Sequence, residues 1–228
     1  MNQGGFFMFN FIVNSDGGLT TAGYAVCVVA VIVLFFAAVL LIPKKSKAKP
    51  VSAKQLVFCA AAMALAYLTS YLKLFELPFG GTVTLFSMLF ITLIGYWYGV
   101  KAGIMTGLAF GILQFLQEPY ALSFFQVCCD YFLAFAALGL SGVFREAKHG
   151  LQKGYILAVL ARGVFHSLGG YLFWMSYMPE NFPKSLATFY PIIYNYSYLL
   201  AEGILTLIVI SVPAVQNALA RVKILATE

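Results

Sequence analysis

Charged residues are scarce in this 228-residue chain. Asp, Glu, Lys and Arg together make up 10% of the sequence, whereas hydrophobic residues make up 62%. Soluble domains carry about 25% charged residues, so this composition cannot supply a water-exposed surface of ordinary size. The scarcity excludes a soluble globular protein. It predicts an integral membrane protein, with enough length for about seven spans of roughly 20 residues each.

The sequence also lacks recognisable catalytic, nucleotide-binding and metal-binding motifs. It contains no GxxxxGK(S/T) motif, so it has no P-loop with which to use ATP. Its four cysteines lie inside apolar runs without metal-ligand spacing, which is typical of buried thiols. The net charge of +6 comes from bases placed between apolar runs, not clustered on one solvated face. We therefore expect no enzyme, no metal, no cofactor and no nucleic-acid partner.

Apolar runs separated by turn-forming segments give the expected architecture. Six core runs can be drawn, at about 54–72, 83–99, 102–117, 121–144, 154–178 and 187–212. A further run at about 22–42 precedes the basic segment PKKSKAKP. We predict an all-α integral membrane protein in which 51–228 form a six-helix substrate-binding domain. Residues 1–50 are expected to hold an extracellular segment, one extra transmembrane helix and a basic cytoplasmic linker.

The distribution of lysine and arginine predicts how the chain lies in the membrane. If the basic segment 43–50 is cytoplasmic, the loops on that side hold eleven Lys and Arg residues. The opposite loops then hold only Lys73 and Lys184. This asymmetry follows the positive-inside rule. We expect a multi-pass protein of the cell membrane with its N-terminus outside and its C-terminus in the cytoplasm.

Several ionisable residues lie inside the apolar runs. Asp130 lies within VCCDYFLAF (127–135), where an unpaired charge costs several kcal/mol. His166 and Trp174 follow in the next run, on the same outer side of the membrane. Arg162 lies one helical turn further in than His166, where it can snorkel or pair structurally. We assign it no ligand role, and we treat Asp130 as a functional residue.

The last core run carries a polar face. Asn195, Tyr198 and Glu202 follow an i, i+3, i+7 spacing, so they share one side of a helix. Carboxylates and aromatic rings that converge in the outer half of a membrane suit an organic cation with a flat ring. Tyrosine and tryptophan near the outer interface also fit an ordinary aromatic belt when each is taken singly.

Small residues recur in the first core run. Ala60 and Ala64 are four residues apart, as are Ala62 and Ala66. Such stripes allow a second helix to approach closely in lipid, where hydrophobicity alone does not drive association. The pattern predicts either a partner interface or close packing within the bundle.

Five stretches, in order, resemble one known family. They are ELPFGGTVTLFSM (76–88), GVKAGIMTGLAFGILQF (99–115), QVCCDYFLAFAALGLSGVF (126–144), LARGVFHSLGGYLFWMSYMPE (160–180) and YPIIYNYSYLLAEG (190–203). Together they resemble the thiamine-specific S component of energy-coupling factor (ECF) transporters, over nearly the whole chain from about residue 54. The resemblance implies a six-helix subunit that captures thiamine from outside. It also implies assembly with a transmembrane coupling subunit and two ATPase subunits.

The resemblance also implies which residues bind. The implied ligand residues are Asp130, Tyr131, His166, Trp174, Tyr190 and Asn195. Asp130 would act as counter-charge or hydrogen-bond acceptor, with Trp174 and His166 flanking the rings. Further candidates on the last helix are Tyr194, Tyr198 and Glu202. The implied outer gate includes Pro78, Gly80 and Gly81, and the implied contact with the coupling subunit includes Ala60 and Ala64.

Two departures and one alternative stay open. The family often has Pro before the last-helix Glu, whereas Ala201 stands there in this chain. Asp130 is one methylene shorter than the Glu that the family also uses, so thiamine and its precursors are not distinguished. The alternative function is a solitary proton- or ion-coupled carrier for thiamine or a related pyrimidine or thiazole compound.

Overall fold

The computed structural model describes residues 11, 19–26, 29 and 51–228. The predicted extra helix at 22–42 lies outside the described residues except for 22–26 and 29, so it stays a prediction. The division of the chain at residue 50 stays a prediction for the same reason.

Residues 51–228 form seven helices and one β-hairpin. The helices are α1 Ala53–Ser70, α2 Ser87–Tyr98, α3 Val100–Gln117, α4 Phe124–Phe144, α5 Gly150–Tyr177, α6 Lys184–Ser211 and α7 Pro213–Thr227. Five of them (α1, α3, α4, α5 and α6) are long and apolar enough to cross a membrane. The predicted all-α membrane bundle is confirmed, and the predicted helix ends lie within a few residues of the observed ones for these five.

The second predicted span is wrong at its start. Residues Thr82–Thr84 form strand β2, which pairs antiparallel with β1 at Lys73–Glu76. The β-branched sequence Thr-Val-Thr favours this extended form. α2 therefore has only 12 residues, and nine of these are buried. At about 1.5 Å per residue it is shorter than a bilayer core and lies inside the bundle.

The two strands are joined by a tight turn at Pro78–Gly80. Phe79 and Gly80 both have positive φ, at 69° and 96°. Glycine tolerates this backbone region, whereas phenylalanine rarely adopts it, so the turn is held by contacts from elsewhere. The predicted gate is thus a structured hairpin tip.

Close backbone contacts hold α2, α3 and α4 together. A Cβ atom added at Gly139 would collide with the backbone of Ile104, so only glycine permits this approach. Ile91, Phe110 and Leu138 are fully buried nearby. Around this core, α4 and α5 each change their winding. A π-helical segment occupies Cys128–Leu133 in α4, and another occupies Gly170–Trp174 in α5.

The C-terminal helix α7 was not predicted as a separate element. Val212 is extended and Pro213 follows as the first helical residue, so the chain turns at the end of α6. The Tyr98 hydroxyl donates a 2.8 Å hydrogen bond to the carbonyl of Ala226. Nζ of Lys223 lies 4.3 Å from the centroid of the Tyr96 ring. α7 is therefore docked on the end of α2.

The two alanine pairs of α1 face opposite ways. Ala62 and Ala66 are buried against the bundle, whereas Ala60 and Ala64 are exposed. Packing within the bundle therefore accounts for one pair, and the other pair is open to a second helix.

Candidate ligand-binding site

A cavity of about 570 Å³ lies beside the hairpin, where α1 and α3 end and α4 begins. Of the predicted site residues, eleven line it: Gly80, Gly81, Asp130, Tyr131, His166, Trp174, Tyr190, Tyr194, Asn195, Tyr198 and Glu202. Pro78 is not a lining residue but contacts one. The structure therefore brings together residues from the hairpin and from three helices that are far apart in sequence.

Three side chains contact the Asp130 carboxylate. Its Oδ2 accepts from Nε2 of Gln126 at 2.8 Å and from Nε1 of Trp174 at 3.3 Å. Its Oδ1 lies 3.4 Å from Nδ1 of His166. A carboxylate has about four acceptor positions, so among the described residues one position is left for a ligand.

Glycine makes room for this carboxylate. Gly169 lies on α5 directly opposite Asp130, and a Cβ atom there would be 2.7 Å from Oδ1. The π-helical segment of α4 that contains Asp130 also shifts its side chain away from the regular helical position. Both features bring the acid against α5, where His166 and Trp174 are located.

His166 lies between Asp130 and Arg162. Nε of Arg162 donates to Nε2 of His166 at 3.2 Å. The guanidinium carbon of Arg162 lies 4.1 Å from the centroid of the Phe135 ring, in a cation–π arrangement. Arg162 also lines the cavity, so it belongs to the site, although the sequence analysis assigns it no ligand role.

Aromatic rings form one wall of the cavity. Trp174 lies 5.2 Å from Tyr120 and 5.2 Å from Tyr177, measured between ring centroids. Phe79, at the hairpin tip, lies 5.4 Å from Tyr177. These residues line the cavity together, so Trp174 is part of a cluster of tilted and edge-on rings at the site. A flat cationic ring fits such a wall by stacking and cation–π attraction.

The α6 residues Asn195 and Tyr198 are already bonded to each other. The Tyr198 hydroxyl donates to Oδ1 of Asn195 at 2.9 Å, and Nδ2 of Asn195 donates to the carbonyls of Pro191 and His166. Both residues are buried and both line the cavity. They form a rigid polar wall opposite Asp130.

Tyr131 and Tyr190 lie at the edges of the cavity. The Tyr131 hydroxyl donates to the carbonyl of Glu118 at 2.8 Å, so it stabilises the start of the loop after α3. Tyr190 packs edge-on against Phe182 at 5.1 Å and tilted against Tyr194 at 5.9 Å.

Tyr194 connects α6 to the hairpin tip. Its hydroxyl donates to the carbonyl of Pro78 and accepts from the backbone N–H of Gly81 at 3.0 Å. A Cβ atom at Gly81 would lie 2.7 Å from the Tyr198 ring and 2.9 Å from the Tyr194 hydroxyl. Glycine is therefore required for this close contact between the tip and α6.

The Glu202 carboxylate binds the hairpin and α2. Its two oxygens accept from the backbone and hydroxyl of Thr84, from the Ser87 hydroxyl and from the backbone N–H of Met88. It is 3% exposed. The carboxylate meets the N-terminus of α2, where a negative charge is favourable. Glu202 therefore supports the cavity wall that is formed by the hairpin and α2.

Several cavity residues escaped prediction. Gln126 precedes Asp130 by one helical turn, a spacing that a search for partners of the buried acid would have found. Ser70, Gln114 and Gln117 form a hydrogen-bonded cluster on the far wall, with contacts of 3.0–3.2 Å. These residues join two chain segments that are remote in sequence, so no local pattern points to them.

A salt bridge between Lys73 and Glu118 lies at the rim of the cavity. Nζ of Lys73 lies 2.9 Å from Oε1 of Glu118 and 3.4 Å from Oε1 of Glu76. The hydrogen bond to Glu118 raises the pKa of Lys73 above its ordinary value. The pair links the hairpin to the end of α3.

The formal charges of the side chains that line the cavity favour a cation. Its charged lining residues are Lys73, Glu118, Asp130, Arg162 and Glu202, which are two cations and three anions. With a neutral His166 their sum is −1, so a monovalent organic cation would neutralise the site. Fold and site together define a multi-pass helical membrane protein with an aromatic, anionic cavity for a small organic ligand.

Comparison with known proteins agrees with this class of protein. Residues 56–221 match the family described as thiamine transporter protein (Thia_YuaJ), and the chain belongs to this family. The thiamine transporter ThiT of Bacillus subtilis (strain 168) is 33% identical over 154 residues, which are 59% of this chain and 76% of that protein.

A solved structure shares the fold. A structure of ThiT from Listeria monocytogenes aligns with a TM-score of 0.58 and 26% identity, over 70% of this chain and 94% of that one. A structure titled as the S component of a bacterial ECF transporter aligns over 72% of this chain and 95% of that one, with 21% identity and a TM-score of 0.48.

Proposed function

We propose that the chain binds thiamine in this cavity and delivers it across the membrane as the substrate-binding subunit of an ECF-type importer. The observation that carries the proposal is the Asp130 carboxylate, which keeps one acceptor position open beside the Trp174 ring inside a cavity of net charge −1. Family membership supports the choice of thiamine among organic cations.

The chemistry of thiamine suits each wall of the cavity. Its thiazolium ring is a flat cation, for which Trp174 and Tyr120 offer faces and Asp130 offers a counter-charge. Its aminopyrimidine ring has donors and acceptors along its edge, for which Asn195 offers the second acceptor position of its Oδ1 and Tyr190 offers its phenol group. We infer that His166 lies against the rings from the α5 side.

Calorimetric titration of the detergent-purified chain tests this proposal. Thiamine should bind saturably at micromolar concentration or below, and its separate pyrimidine and thiazolium halves should each bind more weakly, because each fills only part of the cavity. A neutral analogue in which a thiophene ring replaces the thiazolium serves as matched control. Equal affinity for this analogue and thiamine would contradict an anionic capture site.

The exposed face of α1 supports the proposed assembly with a coupling subunit. Ala60 and Ala64 are open to lipid, whereas the rest of the stripe is buried. Ala64→Trp should abolish co-purification with the coupling and ATPase subunits and leave thiamine affinity unchanged. Ile204→Trp, on the exposed face of α6, is the matched control and should still co-purify. Thiamine uptake in vesicles that hold this chain alone, driven by a proton or ion gradient, would favour the solitary carrier.

The charge asymmetry supports an orientation with the hairpin outside. A cysteine introduced at Glu180 should react with a membrane-impermeant maleimide on intact cells, and one introduced at Lys148 should react only after lysis. Both positions are exposed. The reverse pattern would overturn the orientation.

A further inference from the structure

Arg162 lies directly below the ligand site without a carboxylate partner within salt-bridge distance among the described residues. A guanidinium in this place repels a cationic ligand, so by charge alone it would weaken capture of thiamine. Its position therefore requires a different explanation from simple charge complementarity.

The contacts of Arg162 point to the imidazole beside it. Within the described part of the chain, its one hydrogen bond runs from Nε to Nε2 of His166, at 3.2 Å. The guanidinium carbon also lies 4.1 Å from the centroid of the Phe135 ring, which limits where the guanidinium can move. A neutral imidazole has a single N–H, so a nitrogen that accepts from Arg162 cannot also carry the proton. The proton of His166 is therefore on Nδ1.

That tautomer determines how Asp130 is presented. Nδ1 of His166 lies 3.4 Å from Oδ1 of Asp130, and with its proton there it donates to the carboxylate. If the proton were on Nε2, two lone pairs would face each other across this contact. From α6, the titratable side chain of Tyr198 also packs against His166, with its ring centroid 6.3 Å from that of the imidazole.

We propose that Arg162 is a positioning residue for ligand capture: it fixes His166 as the Nδ1–H tautomer, which in turn holds Asp130 toward the ligand. The proposal rests on the proposed function, because the ligand is taken to be thiamine. It extends that function by adding a residue that acts through His166 and Asp130 and not through its own charge.

Nitrogen-15 NMR tests the tautomer without any ligand. The chain has two histidines, so a His149→Gln variant leaves His166 as the one imidazole signal. The proposal expects a protonated Nδ1 and an unprotonated Nε2, and it expects Arg162→Met to move the proton toward Nε2. A protonated Nε2 in the Arg162 protein, or no change in Arg162→Met, would overturn it.

Thiamine affinity gives a second test, in which two physical effects have opposite signs. Loss of the guanidinium charge alone would tighten binding of a cation, whereas loss of positioning weakens it, by about tenfold for Arg162→Met. Arg162→Lys retains a donor and should recover part of the affinity. In a His166→Phe background, Arg162→Met should cost nothing further, since the group it positions is gone.

The outcomes separate the two proposals. Tighter binding in Arg162→Met, or an equal loss of affinity with and without His166, overturns the positioning role. Absence of thiamine binding in the unmodified chain, with the Nδ1–H tautomer present, overturns the proposed function and leaves the link between Arg162, His166 and Asp130 in place.

Discussion

The hydroxyl of Thr84 donates a 2.7 Å hydrogen bond to Oε2 of Glu202, which lies 118 residues further along the chain. The same carboxylate accepts from the backbone N–H of Thr84 and of Met88. One side chain of α6 thus holds both the second strand of the hairpin and the first turn of α2. The outer wall of the cavity depends on this contact.

We predict that Glu202→Gln lowers stability. An amide has only one acceptor oxygen, so at least one buried backbone N–H of the hairpin or α2 is left facing an NH₂ group. The expected loss is about 1–3 kcal/mol, seen as a lower thermal unfolding midpoint in detergent. Glu146→Gln, at an exposed position, is the control. An unfolding midpoint equal to that of the unmodified chain would contradict this role.

Asp130→Asn should weaken thiamine binding by at least about tenfold, because a charge-assisted contact becomes a neutral one. The folded structure should persist, since asparagine still accepts one hydrogen bond at this position. Calorimetry with thiamine and with its neutral thiophene analogue measures the effect. The loss should fall mainly on thiamine, and an unchanged dissociation constant would remove Asp130 from the site.

Gly169 should also be needed for thiamine binding, because it makes room for the Asp130 carboxylate. Gly169→Ala places a methyl group 2.7 Å from Oδ1 of Asp130, so the carboxylate must move. We expect about tenfold weaker thiamine binding, because a displaced carboxylate loses its charge-assisted contact with the ligand. Gly203→Ala is the matched control, since its methyl group would meet only Val159, at an ordinary 3.5 Å. Equal affinities of the two variants would show that Asp130 can shift freely.

The hairpin tip should control how long the ligand stays. Tyr194→Phe retains the ring and removes the hydroxyl that bonds Pro78 and Gly81. We predict a dissociation rate about tenfold higher, with little change in the association rate, measured by stopped-flow fluorescence. Tyr196→Phe is the control, because its hydroxyl bonds the Leu160 carbonyl away from the tip. A change confined to the association rate would contradict a role of the Tyr194 hydroxyl in retaining the ligand.

Hydrophobic runs sufficed to predict the long helices. The apolar runs also pointed to Asp130 as a functional residue, the resemblance assigned Asp130 and Trp174 to the ligand site, and the structure places both on one cavity. Patterns of this kind are carried by the local sequence, because a span must be apolar over its whole length. That Asp130 and Trp174 bind a ligand stays a proposal.

Features that depend on tertiary contacts could not be predicted from the sequence. The apolar run that begins at Val83 fits either a helix or a strand, and only pairing with β1 decides for a strand. The π-helical turn around Asp130 has no sequence signature. Sequence alone indicates only a structural role for Arg162, since its contact with His166 becomes meaningful only when the third partner on α4 is known.

The most direct test of the central claim is a thiamine titration followed by tryptophan fluorescence. The chain has two tryptophans, of which Trp174 lines the cavity while Trp97 is buried in the core against Phe58. The account predicts saturable quenching by thiamine that is lost in Trp174→Phe and kept in Trp97→Phe. Quenching that survives Trp174→Phe, or no quenching with folded protein, would contradict a thiamine site in this cavity.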